Sequence, residues 1–297
     1  MPICFMPLAI SNEPIILKLC KNSDLLLEYV DFTKGDSKEK GMHPKMIFFD
    51  IDGTLVTHDQ RATEETKQAI KDLQNKGIIV AIATGRSPRN FENIREMLNI
   101  DTYVALNGGY VVFENEEIYR DPILPSIIRP FLEEANQRKV PFLQCSKTDL
   151  RANRTHAKLD EIYKIAQWQP APVDPLFYQK EDIYQLQLYL GGHQDLYQKY
   201  HNQLAFRGWM YPDWYDVISM TSSKAKGIEA LVNHLHYSME ETMAFGDGEN
   251  DIEMLHAVRL GVAMGNAPQN VKREADMVTT SVDENGIVHA LQLVGIL

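Results

Sequence analysis

The sequence predicts an α/β protein in which a parallel sheet is interrupted by an inserted α+β block. From Met46 onward, short apolar runs alternate with helical patterns, and the first runs are continuous rather than alternating. Continuous apolar runs are typical of parallel strands that are buried on both faces. Between about 126 and 211 the strands alternate apolar and polar residues instead, and the first pattern then returns. We therefore predict a core formed by 46–125 and 212–297, with the insert between them.

The first 45 residues do not fit this alternation. They begin mildly apolar and end in the polar stretch "DFTKGDSKEKGMHPK", whose composition predicts a linker. They lack the basic start and the cleavage site of a signal peptide. We predict that 1–45 are an N-terminal extension, disordered or upstream of a mis-assigned start, with a helical arm docked on the body as the alternative.

The bulk composition excludes several classes of partner. The chain has 297 residues and a net charge of -11, which argues against a nucleic-acid or anionic-membrane partner. No apolar run reaches the length of a membrane span. Three scattered cysteines fit a reducing compartment, so we expect a cytoplasmic protein; the sequence gives no indication of its oligomeric state.

The first half of the core reads as strand, helix, strand, helix, strand and hairpin. Thr63, which is followed by two acids, predicts a helix N-cap, and Gly77 predicts the end of the same helix. The predicted elements are a strand at 45–52, a helix at 63–76, a strand at 78–85, a helix at 88–100, a strand at 103–109 and a hairpin at 110–123.

The insert has a different strand pattern. In "IYQLQLYLGG" three leucines alternate with Gln185, Gln187 and Tyr189, which predicts an antiparallel strand with one face exposed to water. The other predicted elements of the insert are a helix at 127–138, a strand at 140–146, a helix at 149–166, a helix at 195–205 and an aromatic strand at 206–220. The core then resumes with a helix at 226–237, a strand at 242–248, a helix at 250–258, a strand at 260–266, a helix at 268–275, a strand at 276–280 and a C-terminal helix.

Small and reactive polar residues follow the predicted core strands. They form four groups, Asp50-Ile51-Asp52-Gly53-Thr54, Thr84-Gly85-Arg86, Asn107-Gly108-Gly109 and Gly246-Asp247-Gly248-Glu249-Asn250-Asp251. Open parallel sheets bind ligands at the carboxyl ends of their strands, so these groups are expected to converge, with Lys224 at the re-entry into the core. Several carboxylates at one sheet edge require a cation. Hard oxygen ligands without clustered His or Cys favour Mg²⁺ over Zn²⁺.

Four of these segments carry a family resemblance. "DIDGT", "ATGR", "SKAKG" and "GDGEND" resemble, in order, the four motifs of the haloacid dehalogenase superfamily of phosphatases with an aspartate nucleophile. The position of the insert, together with "ALNGG", "GVAMGNAP" and "DENGI", resembles the Cof-type branch, subclass IIB. The resemblance covers about 46–297. It implies a Rossmann-like core sheet with an α/β cap of the C2B type, and Mg²⁺ as cofactor.

The resemblance also implies a role for each residue. Asp50 is the nucleophile, Asp52 the general acid and base, and Lys224 balances the charge of Asp50 and the phosphate. Lys224 is preferred to Lys226 because the family lysine commonly stands three residues before a helix glycine, here Gly227. The implied metal ligands are Asp50, the backbone carbonyl of Asp52, Asp247 and, through water or from an outer shell, Asp251. The implied phosphate- and substrate-binding residues are Thr84, Gly85, Arg86, Asn107, Gly108 and Asn250.

Several side chains have a structural alternative. Asp251 fits a plain N-terminal acid of a helix, and Arg86 fits an exposed charge at a helix start. In the cap, "RANRTH" (Arg151, Arg154 and His156) fits a grip on an anionic substrate tail or a solvated helix face. The aromatic cluster of the cap fits stacking on a substrate ring or simple packing, and its members are Trp209, Tyr211, Trp214 and Tyr215.

These inferences predict a Mg²⁺-dependent phosphatase of small phosphorylated metabolites, with sugar phosphates as the leading substrate class and an aspartyl-phosphate intermediate. A phosphomutase of the phosphomannomutase type is the first alternative. It requires a second cationic phosphate site in the cap, for which "RANRTH" is the sole candidate. A non-catalytic regulatory protein on the same fold is the second alternative.

Overall fold

A computed structural model of the chain describes residues 43–208 and 211–297, together with the backbone of two strands near the N-terminus. These are β1 (Ile15–Lys21) and β2 (Asp24–Val30), which pair antiparallel. A strand pair stands here in place of the helical arm that the sequence left open. Residues 43–45 of the predicted extension are also described, and Lys45 pairs with Glu241. The rest of the extension lies outside the described residues, so its disorder and the mis-assigned start stay predictions.

The remaining elements follow the predicted alternation. In chain order the strands are β3 (Met46–Phe49), β4 (Ile79–Ala83), β5 (Tyr103–Ala105), β6 (Tyr110–Phe113), β7 (Glu116–Arg120), β8 (Phe142–Cys145), β9 (Leu150–Ala152), β10 (Gln185–Tyr189), β11 (Leu204–Gly208), β12 (Trp214–Ser219), β13 (Thr242–Gly246), β14 (Leu260–Ala263) and β15 (Met277–Val278). The α-helices are α1 (Glu64–Asn75), α2 (Glu92–Leu98), α3 (Pro125–Gln137), α4 (Ala157–Ile165), α5 (Gln194–Tyr200), α6 (Lys224–His234), α7 (Ile252–Ala257), α8 (Gln269–Glu274) and α9 (Gly286–Leu293). Among the described residues, no helix combines the length and apolar character needed to cross a bilayer.

The core sheet has eight strands in the order β15-β14-β13-β3-β4-β5-β6-β7. The six strands from β15 to β5 run parallel, and β6 and β7 complete the edge as an antiparallel hairpin, as predicted. The side chains of β3 are fully buried and alternate between the two faces. Met46 and Phe48 pack with residues of α6, α7 and α8, whereas Ile47 and Phe49 pack with residues of α1, α2 and α9. A sheet covered on both faces explains the continuous apolar run in the sequence.

The cap sheet has five antiparallel strands in the order β11-β12-β10-β8-β9. Because β12 belongs to this sheet, the predicted boundary between cap and core after residue 211 falls inside the cap. The core resumes only after Ser219. The predicted single strand at 206–220 is in fact two antiparallel strands. Likewise, the predicted helix at 149–166 begins with strand β9, and α4 starts only after its N-cap His156.

The two faces of β10 correct a further expectation. Leu186, Leu188 and Leu190 pack against residues of α3 and α5, as the alternation predicts. However, Gln185 and Gln187 on the opposite face are also buried, so this face is not exposed to water. The core and helix α4 cover it, and alternation alone does not distinguish polar residues that face water from polar residues that face another domain.

Candidate active site

The predicted strand ends do meet at one edge of the core sheet. Asp50 follows β3, Thr84 follows β4 and Asp247 follows β13, and these three strands are neighbours. The chain turns sharply after Asp50 at Gly53, whose φ of +74° favours glycine. A Cβ at Gly53 would lie 2.3 Å from Oδ2 of Asp247, so the turn and the second carboxylate are in close contact.

Lys224 lies between two of the carboxylates. It is the first residue of α6, which Ser223 caps, and its side chain is fully buried. Its Nζ donates to Oδ1 of Asp50 and to Oδ1 of Asp251, each at 2.6 Å. Lys226 instead pairs with Glu229 on the surface, so of the two candidates only Lys224 reaches the strand ends.

Asp251 is fully buried, and both of its carboxylate oxygens are engaged. Oδ1 accepts from Lys224, and Oδ2 accepts from the backbone N–H groups of Asp247 and Gly248 at 2.9 and 2.8 Å. Asp251 therefore shapes the loop that presents Asp247. This is more than the helix-terminal role that the sequence left open.

Charge in this site is unbalanced. Burial, and then the neighbouring acids, raise the pKa of Asp50 well above its ordinary value, although Lys224 opposes this. Burial and the charge of Asp251 raise the pKa of Asp247 to about 7. Burial alone would lower the pKa of Lys224, but Asp251 and Asp50 outweigh it and raise the pKa above its ordinary value. One lysine is thus too little positive charge for the acids around it.

The carboxylates fit a divalent metal ion. Asp50, Asp247 and Asp251 each offer an oxygen atom, and these atoms lie within 4.8 Å of one another. Hard oxygen donors with excess negative charge are the ligands that Mg²⁺ prefers. Since Asp251 already accepts three hydrogen bonds, Asp50 and Asp247 are the better placed of the three for direct contact with an ion.

Asp52 points away from this cluster and pairs with Arg86. Arg86 donates from Nε to Oδ2 of Asp52 at 2.8 Å and from a second nitrogen to Oδ1, and it also contacts Gln60 Oε1 at 2.5 Å. Gln60 donates to Asp52 Oδ1 at 3.2 Å. Burial would raise the pKa of Asp52, but Arg86 outweighs it and holds the pKa below its ordinary value. Arg86 is only 8% exposed, which rules out the alternative of a merely exposed charge.

Two threonines lie at the same edge. Thr54 is buried, and its Oγ1 has no hydrogen-bond partner within the described ranges. Thr84 is also buried, and its Oγ1 accepts from the N–H of Arg86 at 3.1 Å. A buried hydroxyl without a partner is uncommon in native proteins, so Thr54 is a donor available to a ligand. The sequence interpretation placed Thr54 only in the turn.

Asn107 brings the cap into the site. Its Oδ1 accepts from Asn250 at 3.0 Å, and its Nδ2 donates to Gln185 Oε1 at 2.9 Å and to Asp216 Oδ2 at 3.1 Å. Gln185 and Asp216 belong to cap strands, whereas Asn107 and Asn250 belong to the core. Next to Asn107, Gly108 has a φ of +94°, and a Cβ there would clash with the backbone of Ser223.

The cap residues singled out by the sequence are engaged within the cap. Arg151 pairs with Asp149, Arg154 donates to the carbonyl of Asn136, and His156 caps α4. The aromatic residues behave similarly. Trp214 is buried against Tyr189, and Tyr215 packs on Phe206 and Tyr197. Tyr211 packs against a hydrophobic cluster that contains residues of both the core and the cap. Trp209 lies outside the described residues. Packing is therefore what the structure supports for the other three.

The sequence did not mark Asn266, Gln60, Gln185 or Asp216 as residues of the site. Asn266 donates to the carbonyl of Gly53 at 2.9 Å and to Asp247 Oδ2 at 3.1 Å, and its Oδ1 accepts from Val282. It follows β14, so the same strand-end rule would have found it. Gln60 lies in an irregular loop with no pattern to mark it.

Comparisons with known proteins identify the family. The sequence profile of the haloacid dehalogenase-like hydrolases matches residues 47–291. YkrA of Bacillus subtilis (strain 168), provisionally named as a phosphatase, is 38% identical over 261 residues, covering 86% of this chain and 100% of YkrA. A structure of a hypothetical protein from Geobacillus kaustophilus HTA426 is 38% identical with a TM-score of 0.81, covering 86% of this chain and 100% of that one. The subclass IIB sugar phosphatase BT4131 is 30% identical with a TM-score of 0.75, covering 85% of this chain and 100% of its own.

These matches extend over the core and the cap together. The family profile spans both, and each solved relative is covered over its whole length. By sequence and by fold, the chain therefore belongs to the haloacid dehalogenase-like hydrolases, as a phosphatase of the Cof type.

Proposed function

We propose that the protein is a Mg²⁺-dependent phosphatase of small phosphorylated metabolites, sugar phosphates above all, and that it acts through a phosphorylated Asp50. The observation that carries this proposal is the arrangement of Lys224 between Asp50 and Asp251, with Asp247 alongside. It combines a nucleophile, a fixed positive charge and a set of oxygen ligands at one sheet edge. Phosphoryl transfer depends mainly on positioning and charge neutralisation, which such a site supplies.

In the first step, a carboxylate oxygen of Asp50 attacks phosphorus, and the bond from phosphorus to the leaving oxygen breaks. Lys224 holds Oδ1 of Asp50, and no donor among the described residues occupies Oδ2, so one oxygen is free to attack. Thr54, Thr84 and the backbone N–H groups of their loops bind the phosphoryl oxygens. In the second step, water attacks phosphorus, free phosphate leaves and the Asp50 carboxylate is restored.

Asp52 moves the proton in both steps. It gives a proton to the leaving oxygen in the first step and takes one from the attacking water in the second. Its contact with Arg86 favours the anionic form, which suits the second step. The first step requires Arg86 to release Asp52, and an arriving phosphate is an anion that attracts the guanidinium. Arg86 would then bind the substrate, as the sequence predicts.

Mg²⁺, when bound, supplies neutralisation of the charge on the phosphoryl oxygens. Asp50, Asp247 and the backbone carbonyl of Asp52 would hold it, with Asp251 acting through water or through the loop it shapes. Asn266 contacts Asp247 and would orient its carboxylate, as outer ligands commonly do.

The names of relatives support a small phosphorylated metabolite as substrate. BT4131 is described as a sugar phosphatase. Other relatives of this chain are an HMP-PP phosphatase of Klebsiella pneumoniae, which is 27% identical, and YcsE of Bacillus subtilis, a 5-amino-6-(5-phospho-D-ribitylamino)uracil phosphatase, which is 26% identical. The cap covers the strand ends, so bulky substrates such as phosphoproteins would be excluded. We infer that the protein acts in the cytoplasm, where such metabolites and Mg²⁺ occur together.

The phosphomutase alternative loses its one candidate for a second phosphate site. Arg151, Arg154 and His156 are each engaged inside the cap, as described above. The regulatory alternative gains no support, because the chain retains the acids and the lysine that the proposed phosphoryl transfer requires.

A metal-removal assay tests the proposed function. We expect the protein to hydrolyse p-nitrophenyl phosphate in Mg²⁺, to lose that activity in EDTA and to regain it when Mg²⁺ is restored, because the acids need a cation to accept a phosphate. The same preparation is then screened against phosphorylated sugars and other metabolites. Equal activity in EDTA and in Mg²⁺ would contradict the metal requirement, and absence of release from any monoester would contradict the phosphatase.

Replacing Asn266 should weaken metal binding. We expect Asn266→Ala to raise the Mg²⁺ concentration for half-maximal activity by about 10–100-fold, because Asp247 loses the donor that orients it. The measurement is a Mg²⁺ titration of the initial rate. Asn270→Ala is the control, since Asn270 is exposed and its side chain donates a hydrogen bond to Glu249 rather than to a proposed metal ligand. An unchanged titration for the Asn266 variant would show that this contact does not affect the metal.

A further inference from the structure

A glutamine of the cap is buried between two loops of the core. Gln185 is fully buried, its Oε1 accepts from Asn107 Nδ2 at 2.9 Å, and its Nε2 donates to the carbonyl of Gly85 at 3.0 Å. Gly85 belongs to the loop after β4 and Asn107 to the loop after β5. One cap side chain therefore contacts both of these loops. It accepts a hydrogen bond from the Asn107 side chain and donates one to the Gly85 carbonyl.

The core side of this contact is held firmly. The N–H of Asn107 donates to the carbonyl of Thr84 at 3.1 Å, and its own carbonyl accepts from Ser222 Oγ at 3.3 Å. The following Gly108 packs so closely on the backbone of Ser223 that a Cβ would lie 1.8 Å from its carbonyl oxygen. These contacts hold the backbone of the loop, and the hydrogen bonds of Asn107 with Asn250 and Asp216 orient its side-chain amide.

The contact also reaches the residues beside the carboxylates. Asn107 Oδ1 accepts from Asn250, one residue before Asp251, and Gly85 stands between Thr84 and Arg86. The position of the cap is thereby linked to the loop of Asp247 and Asp251 and to the loop that contacts Asp52. Because a buried amide is stable only when it is paired, these links hold in one arrangement of cap and core.

We propose that Gln185 is a positioning residue for the reaction, which aligns the Thr84–Arg86 loop and the Asn107 side chain when the cap closes. This rests on the proposed phosphatase function. We call Gln185, Asn107 and Gly85 the core–cap latch. When the cap opens, water can hydrogen-bond to all three groups, so the latch adds little attraction and chiefly fixes the orientation of the closed cap. The cap also brings the Asp216 carboxylate to this contact, where it accepts from the same Asn107 Nδ2 at 3.1 Å, but among these cap contacts only Gln185 also reaches Gly85.

Gln144 provides a matched control. It too is a fully buried glutamine of the cap sheet, on β8, and it also makes two side-chain hydrogen bonds, in its case both to backbone groups. Its Nε2 donates to the carbonyl of Asp174 at 2.9 Å and its Oε1 accepts from the N–H of Tyr178 at 3.0 Å. Those partners lie inside the cap. The two glutamines therefore differ in whether their bonds cross to the core.

The experiment compares Gln185→Met with Gln144→Met in the full chain. We expect Gln185→Met to lower kcat/KM for p-nitrophenyl phosphate about tenfold, mostly through kcat, and Gln144→Met to stay within about twofold of the unsubstituted protein. Gln185→Glu retains the size but replaces a donor beside the Gly85 carbonyl with a second acceptor, so we expect a loss at least as large. This second variant decides the outcome if the methionine variant does not fold.

Amide hydrogen exchange supplies a readout that needs no activity. We expect Gln185→Met to speed exchange in the two linkers between core and cap, 121–124 and 220–223, whereas Gln144→Met speeds it only near 174–179. Equal behaviour of the two variants in rate and in exchange would overturn the proposal. If the unsubstituted protein releases no phosphate, the proposed function is wrong. The exchange comparison then still tests whether Gln185 joins the cap to the core.

Discussion

Asp50→Asn should lower turnover by roughly 10⁴-fold while the protein stays folded. The amide cannot form the phosphorylated intermediate, and the other site residues can only bind the substrate. Single-turnover and steady-state rates with p-nitrophenyl phosphate measure the loss. Near-normal turnover would refute the assignment of Asp50 as nucleophile.

The same substitution should not cost stability. Burial and three neighbouring acids raise the pKa of Asp50, which means that its ionised form is unfavourable in the metal-free fold. We therefore expect the Asp50→Asn protein, in EDTA, to unfold at the same urea concentration as the unsubstituted protein or at a higher one. Asp59→Asn is the control, since Asp59 is exposed in the following loop, and it should change neither the rate nor the unfolding midpoint. Early unfolding of the Asp50 variant would show that the loss of activity reflects misfolding.

Among single substitutions of the site residues, Lys224→Met should cause the largest decrease in the free energy of unfolding. Its side chain is fully buried and hydrogen-bonds to Asp50 and Asp251, so its removal leaves two buried carboxylates without their cation. Breaking a buried ion pair on one side typically costs about 3–5 kcal/mol. We expect a decrease of that size in the free energy of unfolding, measured by urea denaturation in EDTA. Part of the loss should return in Mg²⁺, since an ion would replace the missing positive charge.

Two comparisons isolate the cause. Lys226→Met alters the next lysine of the same helix, which is exposed and paired with Glu229, and it should change the free energy of unfolding by less than about 0.5 kcal/mol. The double variant Asp50→Asn with Lys224→Met should be more stable than Lys224→Met alone, because one of the two unpaired carboxylates is gone. If the double variant is the less stable of the two, the cost comes from lost packing rather than from charge.

Much of the core could be predicted because its signals are local. Thr63 caps α1 through the hydrogen bond that its side chain accepts from the N–H of Thr66, and the helix ends just before Gly77, as the sequence indicates. Asp50 and Asp247 were found because strand ends in a parallel sheet share one edge, whatever the connections between them. Lys224 was chosen over Lys226 on the family resemblance, from its spacing to Gly227. Burial on both faces produces continuous apolar runs, so the strands of the core were also visible.

The errors fall where a residue's partner is distant in the sequence. The alternation in β10 predicted a face exposed to water, but a second domain covers that face and pairs Gln185 with Asn107. The boundary after 211 was misplaced because 206–220 was interpreted as one strand, and only the pairing of β12 with β11 and β10 shows that β12 belongs to the cap sheet. The alternative of an exposed charge at Arg86 was wrong, because its contact with Asp52 joins residues that follow different strands, and its role as a substrate ligand stays a prediction.

By itself, the sequence determined the class of the core, the four groups of residues at the strand ends and the family to which they belong. These depend on periodicity and on residue order, which are properties of the chain. Only the tertiary structure decided which of the acids share a lysine, what Arg86 contacts and how Gln185 joins cap to core. Such contacts depend on distance and burial, and these are set by packing between segments that the sequence does not place side by side.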